Sequence, residues 1–356
     1  MTVIDIRAGR SLAWHRWAGY AAAVWSLAYG GLGLYWAGGG GGFPFGEGDV
    51  PDARAESLLG GVTAVTAGPV IAALGLAGAV VAVVSAHLRL QGWGRVVLAA
   101  LCWVPAFGLT ALVADVRIIM AVGYAPLCLF GLPFGWPPVD YFATAFPWPV
   151  RNQLICLFGA LLWAGAALAF QRRTAGACAA CGRVAGARTG WSSAASAARW
   201  GRWAAYTGFV VPFGYSLIRW AWALNIPIGM SAAEIAELHR SGLVWAGAGL
   251  ATVAACGGVL TLGLIHRWGE VWPRWVPGLA GRRVPVALPV TLGGAMSAVL
   301  LTSLGSVVAM TDWNDPASWL LSPMTYWPLW GAALGAATLA YRLRRRGGCE
   351  VCGLSG

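Results

Sequence analysis

The chain has 356 residues, of which 58% are hydrophobic and only 10% are charged, and its mean hydropathy is +0.67. Soluble domains carry about a quarter of their residues as charges, so this composition excludes an ordinary soluble protein and indicates an integral membrane protein. The formal net charge of +11 comes from arginines without a single lysine, a bias typical of a GC-rich genome. The arginines lie between apolar stretches rather than on one polar face. The predicted partners are therefore the lipid bilayer and anionic lipid headgroups, and no nucleic acid.

A membrane-spanning helix needs about 20 mostly apolar residues, and eight stretches of the chain meet this requirement. The Arg-rich segments precede the first stretch, follow the second, sixth and eighth, and fill the linker between the fourth and fifth. Since cytoplasmic loops carry an excess of basic residues, we expect a multi-pass protein of the cell membrane with both termini in the cytoplasm. The predicted spans are residues 14–37, 57–86, 96–115, 152–170, 200–224, 241–265, 285–310 and 324–342.

The two halves of the chain are similar in sequence. At an offset of 186 residues, eight aromatic, arginine and alanine positions of the first span are repeated in the fifth. Each half contains four predicted spans, an even number, so both copies have the same orientation. The predicted fold class is an all-α polytopic membrane protein of two tandem, parallel four-helix repeats with a small cytoplasmic zinc-knuckle-like element. The predicted domains are the first repeat at 1–177, a linker at 178–199, the second repeat at 200–343 and a tail at 344–356.

The halves differ by one insertion each. The first half carries an extra apolar segment near 118–138, interrupted by Gly123, Pro126, Gly131 and Pro133. A ninth span there would move the Arg-rich linker to the outer side, so we expect a re-entrant or surface-lying segment. The second half has a longer cytoplasmic loop, RWGEVWPRWVPGLAGRRVP, which mixes tryptophans with arginines. This loop is predicted to lie in the membrane interface as an anchor, with a specific lipid-head site as the alternative.

Each half ends in a cluster of arginines and a C-x-x-C-G motif. A C-x-x-C turn supplies two thiolates, and a following glycine gives the backbone freedom that the turn requires. Because zinc prefers four ligands, we expect the two motifs to share one structural zinc ion. Arg172, Arg173 and the arginines at 344–346 would offset the negative charge of the thiolates. The predicted ligands are Cys178, Cys181, Cys349 and Cys352.

Two other interpretations of the cysteines stay open. Membrane thiol oxidoreductases also use C-x-x-C motifs on four-helix units, but they work with thiols at the outer side. The predicted topology puts both motifs in the reducing cytoplasm, where lasting disulfides are rare. The remaining interpretation is four free thiols that bind metal only adventitiously.

Charged residues near the membrane are the candidate ligand-binding groups, because charges within apolar stretches are expensive and therefore informative. They cluster toward the predicted outer ends of the spans. Glu56 could pair with Arg240 or Arg219 where the halves meet, and solvated separate charges are the alternative. The candidates are Glu56, Asp115, Arg117, Asp140, Arg219 and Arg240.

Three functions are consistent with these features. The first is a protein that binds or transports a small hydrophobic or lipid-like molecule between its two repeats. The second is a membrane-embedded enzyme that acts on an isoprenoid or lipid with Glu56, Asp115 or Asp140 as acid or base. The third is a structural or signalling scaffold whose zinc site docks a cytoplasmic partner. No phosphate-binding loop, zinc-protease motif or serine-nucleophile elbow is present in the sequence.

Overall fold

The protein is all-helical in the computed structural model, which describes residues 3–134, 140–185 and 190–354. Within these ranges the only extended pairing is an isolated bridge between Val271 and Arg283. The helices in chain order are α1 Val3–Ala37, α2 Ala64–His87, α3 Gly92–Gly108, α4 Arg117–Gly131, α5 Tyr141–Ala145, α6 Trp148–Thr174, α7 Ala194–Ala223, α8 Ala232–Arg240, α9 Leu243–Gly263, α10 Ala287–Leu301, α11 Ser303–Met310, α12 Pro316–Leu321 and α13 Trp327–Arg344.

Five of the described helical segments are long and apolar enough to cross a membrane. They are Ala64–His87, Gly92–Val113, Trp148–Thr174, Leu243–Gly263 and Ala287–Met310. The other three predicted spans fall on α1, α7 and α13, which do not reach the same hydropathy. These helices are rich in tryptophan, tyrosine and glycine and carry arginines near their ends, and all of these residue types lower mean hydropathy. The five segments are consistent with a membrane location.

The chain divides into two compact units, each described here by itself. Unit 1 comprises the described parts of Met1–Asp115, Phe142–Arg188 and Arg346–Gly356, and unit 2 those of Val116–Tyr141 and Thr189–Arg345. The C-terminal tail that follows α13 thus belongs to unit 1, and helix α4 belongs to unit 2. The predicted 118–138 segment forms α4 and a short 3-10 turn up to Phe134, and its last residues lie outside the described ranges.

In unit 1, α1 packs against α2 and α6, and α3 packs against α6. Glycines allow the close approach of α1 and α2, since a Cβ on Gly33 would lie 2.7 Å from the backbone nitrogen of Ala72. A Cβ on Gly75 would likewise lie 2.5 Å from the Cα of Gly30. Small residues at a helix contact are the usual means of packing in membranes, where lipid removes the hydrophobic drive between helices.

In unit 2, α7 packs against α9 and α13, and α10 packs against α13. The core of this unit contains large side chains, among them Tyr215, Leu300, Trp327 and Trp330. Helix α4 contacts both α9 and α10. Helices α9 and α10 are joined by a hydrogen-bonded segment, 267–286, that is described below.

Candidate metal centre and apolar cavity

Both C-x-x-C-G motifs fold into the same tight turn. In the first, the amide of Gly182 donates to the carbonyl oxygen of Cys178 at 2.8 Å, and the amide of Cys178 donates to Arg183 at 2.8 Å. The turn that begins at Cys349 repeats both bonds, at 2.8 and 3.1 Å. Gly182 and Gly353 have φ angles of +75° and +70°. Residues with a Cβ rarely adopt this left-handed conformation, so the glycine that follows each cysteine pair shapes the turn.

The four cysteines of the two turns come together within unit 1. The Sγ atoms of Cys178 and Cys349 are 3.9 Å apart, and those of Cys181 and Cys352 are 3.6 Å apart. All four sulfurs lie within 4.8 Å of one another. Four sulfurs at about 2.3 Å from a tetrahedral metal ion are separated by about 3.8 Å, whereas a disulfide bond is about 2.05 Å long. The predicted four-cysteine cluster is therefore present and can bind a metal ion.

Arg183 connects the first turn to the C-terminal tail. Its guanidinium donates to the carbonyl oxygens of Gly347 at 2.9 Å, Leu354 at 2.8 Å and Arg346 at 3.0 Å. Its backbone amide also donates to the sulfur of Cys181 at 3.5 Å. One side chain thus holds the tail on both sides of its cysteine pair. The sequence showed Arg183 only as one of many linker arginines.

Two further arginines hold the first turn in place. Arg172, at the end of α6, donates to the carbonyl oxygen of Ala179 at 2.7 Å and stacks on the ring of Trp14, 5.4 Å from its centroid. Arg346 donates to the carbonyl oxygen of Cys181 at 3.3 Å. With a divalent ion bound, these cations would offset the net negative charge of the four thiolates.

The other arginines expected to offset the thiolate charge have different partners. Arg173 donates a hydrogen bond to the carbonyl oxygen of Ser85 on α2. Arg344 and Arg345 form ion pairs with Glu270, at 3.5 and 3.3 Å. Their guanidinium groups bind neighbouring segments of their own units. The clustering of these arginines in the sequence does not reveal this role.

The thiols differ in their affinity for protons. Backbone N–H groups of Cys352 and Val351 donate toward the sulfur of Cys349 and lower the pKa of this thiol to about 6. Burial, with the neighbouring thiols, raises the pKa of Cys181 to about 12. At neutral pH the metal-free cluster therefore holds both thiolate and thiol, and a metal ion must displace a proton from Cys181. Because protons compete with the metal for sulfur, affinity rises with pH and falls on acidification.

Two of the candidate ligand-binding residues belong to unit 1. Asp115 is only 1% exposed, and its carboxylate accepts a hydrogen bond from the side-chain amide of Gln153 at 2.6 Å. The backbone amide of Asp115 donates back to the Gln153 side chain at 3.2 Å. This reciprocal pair joins α6 to the residue that lies two positions after the helical segment Gly92–Val113. Glu56 ends the 3-10 turn Pro51–Glu56 and is partly buried.

The other four candidates belong to unit 2. Arg240 forms an ion pair with Glu237, three residues earlier on α8, and both side chains are largely exposed. Arg117 begins α4 and is partly buried, whereas Asp140 is exposed. Arg219 lies on α7 and has no carboxylate partner among the described residues; its guanidinium stacks on two aromatic rings.

Unit 2 contains an apolar cavity of about 600 Å³. Helix α9 packs against α7 while α10 packs against α13, and one face of α9 and one face of α10 line the space between them. Leu260 and Leu292, on these two faces, are each more than 60% exposed, so the cavity is open at the side. The remaining wall is aromatic, contributed by α7, α13 and segment 267–286 as Tyr215, Trp268, Trp272, Trp275, Trp327 and Trp330.

Three polar groups of this aromatic wall lack hydrogen-bond partners among the described residues: the Tyr215 hydroxyl and the indole nitrogens of Trp327 and Trp330. Buried donors are rarely unsatisfied. The rings of Tyr215 and Trp327 are in edge contact, with centroids 5.7 Å apart, and the Arg219 guanidinium lies 5.5 Å from the Tyr215 centroid. Sequence reasoning identified Arg219 and missed the wall, because an unsatisfied indole has no sequence signature.

The chain was compared with protein-family models, curated proteins and solved structures. No protein-family model, no curated protein and no solved structure matches it.

We expect Arg183→Gln to weaken metal binding by about 10- to 100-fold, the usual effect of removing a group that orients metal ligands. The variant loses the three bonds to the tail but keeps all four sulfurs. Zn²⁺ affinity, measured by competition with a coloured chelator, checks this. Arg199→Gln, an exposed arginine of α7, is the matched control and should bind as tightly as the parent protein. Equal affinity of the two variants would contradict the role of Arg183.

Proposed function

We propose that the chain is a membrane protein of eight spans in two tandem four-helix repeats, with both termini in the cytoplasm. The order of helix pairing within each unit supports the repeat. Contacts of α1 with α2, of α1 with α6 and of α3 with α6 in unit 1 correspond to contacts of α7 with α9, of α7 with α13 and of α10 with α13 in unit 2.

Burial of the aligned residues also supports a repeat. If α1 and α7 are copies, the same positions should face protein or surroundings in both. Two aligned aromatic pairs are buried in both helices and two are exposed in both. The buried pairs are Tyr29 with Tyr215 and Trp36 with Trp222, and the exposed pairs are Trp17 with Trp203 and Tyr20 with Tyr206.

We further propose that the four-cysteine cluster binds one zinc ion with a structural role. Zinc in structural sites is four-coordinate and tetrahedral, and thiolates are among its preferred ligands. The 3.6 and 3.9 Å separations between sulfurs of different turns are close to the edges of such a tetrahedron. A redox pair uses two sulfurs, whereas here four sulfurs from both motifs lie in one cluster, as a four-coordinate ion requires. Since the cluster includes the tail, metal binding ties the C-terminus to unit 1.

We expect protein purified under reducing conditions to contain about one zinc per chain, and the Cys178→Ser/Cys349→Ser variant to contain almost none. Each substitution removes one ligand from a different turn, and two thiolates do not retain structural zinc through purification. Cys256→Ser is the control, because Cys256 is a single exposed cysteine, and it should keep the metal. Elemental analysis by mass spectrometry gives the ratio. A zinc-free parent protein, or equal zinc in all three proteins, would exclude the proposed site.

We propose that the protein binds, and in a membrane carries, a small hydrophobic or lipid-like molecule. The observation that supports this proposal is the cavity of unit 2. A volume of about 600 Å³ is in the range of ligand pockets, which are mainly apolar with a few polar groups. The sequence-based hypothesis put the ligand between the repeats, whereas the cavity that supports the proposal is formed within one unit.

The shape of the cavity favours a chain-like ligand. Its length is set by α9, from Leu250 to Gly263, and by α10, from Leu288 to Leu300. Both helices belong to segments that can span a membrane, so the open side faces hydrocarbon in a bilayer. An acyl or isoprenoid chain can enter from there without crossing water, and its burial among leucines and tryptophans is favourable.

We expect Gly257→Phe to reduce lipid binding at least tenfold by filling the cavity. Gly257 lines it, and the nearest atom to a Cβ there belongs to Trp330, at 3.8 Å. Gly249→Phe is the matched control on the same helix: it is outside the lining, and a Cβ there has no neighbour within 4 Å. Delipidated protein in neutral detergent is incubated with phosphatidylcholine and repurified, and the retained lipid is quantified by mass spectrometry. Equal retention by both variants, or none by the parent protein, would refute the cavity as the binding site.

A further inference from the structure

Segment 267–286, which joins α9 to α10, forms one end of the cavity and carries a cluster of arginines. The segment folds back on itself: the amide of Trp272 donates to the carbonyl oxygen of Arg282 at 2.9 Å, and that of Val284 donates to Glu270 at 2.9 Å. Trp272 and Val284 both line the cavity. The paired backbone therefore presents apolar side chains to the cavity and holds Arg282 beside them.

This folded segment is anchored to α13. The hydroxyl of Tyr341 donates to the carbonyl oxygen of Gly269 at 3.1 Å, and Arg345 donates to that of Val284 at 3.4 Å. Arg344 and Arg345 also form the ion pairs with Glu270 described above. The end of the cavity is thus a structured surface, and Tyr341 of α13 and Arg345, directly after it, hold the two sides of the fold.

The ion pairs that anchor the segment neutralise its negative charge. Glu270 is the single acidic residue between positions 267 and 286, and α13 already pairs with it. Four arginines of the segment are exposed, and none forms an ion pair with a described residue; they are Arg267, Arg274, Arg282 and Arg283. Arg274 lies between the lining residues Pro273 and Trp275, and Arg283 directly precedes the lining residue Val284. The segment that closes the cavity therefore also carries a concentration of positive charge.

We propose that the cavity ligand is an anionic lipid, whose phosphate is bound by Arg274, Arg282 and Arg283 while one hydrocarbon chain lies between α9 and α10. The inference rests on the proposed lipid-binding function and adds the charge and orientation of the ligand. Since α9 and the segment Ala287–Met310 that begins with α10 can both span a membrane, the residues that join them lie at a membrane surface, at headgroup depth. Basic residues there attract anionic lipid, and guanidinium groups suit phosphate oxygens.

The surroundings of the arginines favour a lipid over a soluble phosphate. Trp268, Trp272 and Trp275 lie on the same segment and line the cavity, and indoles are enriched at the membrane interface. A free phosphate would use the arginines but leave the cavity empty. A lipid with an uncharged headgroup would fill the cavity but leave the arginines without a counter-ion.

The test uses delipidated protein and an equimolar mixture of phosphatidylglycerol and phosphatidylcholine with identical chains. After repurification, the ratio of the two bound lipids is measured by mass spectrometry. We expect a preference for phosphatidylglycerol of about tenfold or more, given the contribution of each basic residue near a charged headgroup. The preference should fall at high ionic strength, because the guanidinium groups are exposed and salt screens them. Equal binding of the two lipids by the parent protein would overturn the proposal.

Two sets of variants identify the residues responsible. Arg274→Gln/Arg282→Gln/Arg283→Gln should lose the preference yet still bind phosphatidylcholine, and the corresponding Lys substitutions should retain it in part. Arg199→Gln/Arg202→Gln, exposed on α7 and outside the cavity lining, should behave as the parent protein. A preference that survives the triple Gln change would overturn the proposal, as would an equal loss in the α7 variant.

Two further comparisons separate the possible failures. Gly257→Phe should lose both lipids, so its failure to do so refutes the cavity itself, whereas unchanged headgroup preference in the Arg variants refutes only the headgroup site. Soluble glycerol phosphate should not displace the bound lipid at equal concentration. Displacement would show that the arginines bind phosphate without the cavity and would overturn the lipid assignment.

Discussion

The four-cysteine cluster meets one stoichiometric constraint: each C-x-x-C-G turn offers two sulfurs, and a tetrahedral ion needs four. Neither turn completes a site, so the 3.6 and 3.9 Å contacts between sulfurs of different turns require the last residues of the chain to fold into unit 1. Arg183 reinforces the arrangement through carbonyl groups of the tail, and Arg172 fixes the first turn to α6. A bound ion, as proposed, would replace the competing protons and balance the like-charged thiolates at the centre of this arrangement.

The contact of α1 with α2 in unit 1 differs from the contact of α7 with α9 in unit 2. In unit 1, Gly33 lets α1 and α2 approach until a single added Cβ would touch backbone. The aligned position in unit 2 is Arg219, whose guanidinium stacks on Tyr215 and Trp222. A Cβ on Gly247 of α9 would lie 3.4 Å from the Arg219 guanidinium rather than against backbone, and unit 2 also leaves space between α9 and α10. In terms of the proposed repeat, the close glycine contact is found in unit 1 and the cavity in unit 2.

The four-cysteine cluster could be predicted from sequence because its determinants are local. Two cysteines three positions apart and a following glycine specify a turn whatever surrounds it, and their repetition in each half indicated a shared ion. The role of Arg183 could not be predicted, since its partners are backbone carbonyls 163–171 positions away. The cavity could not be predicted from the sequence either, because it results from two helices that do not pack together. Asp115 was selected for its rarity as a charge, yet the structure gives its carboxylate a buried bond to Gln153.

The most direct test of the account is X-ray absorption spectroscopy at the zinc edge of the purified, reduced protein. The account predicts a shell of four sulfur atoms at about 2.3 Å with no nitrogen or oxygen. A shell of two sulfurs completed by nitrogen or oxygen would mean that only one turn binds the ion. That result would contradict the shared centre on which the position of the C-terminal tail depends.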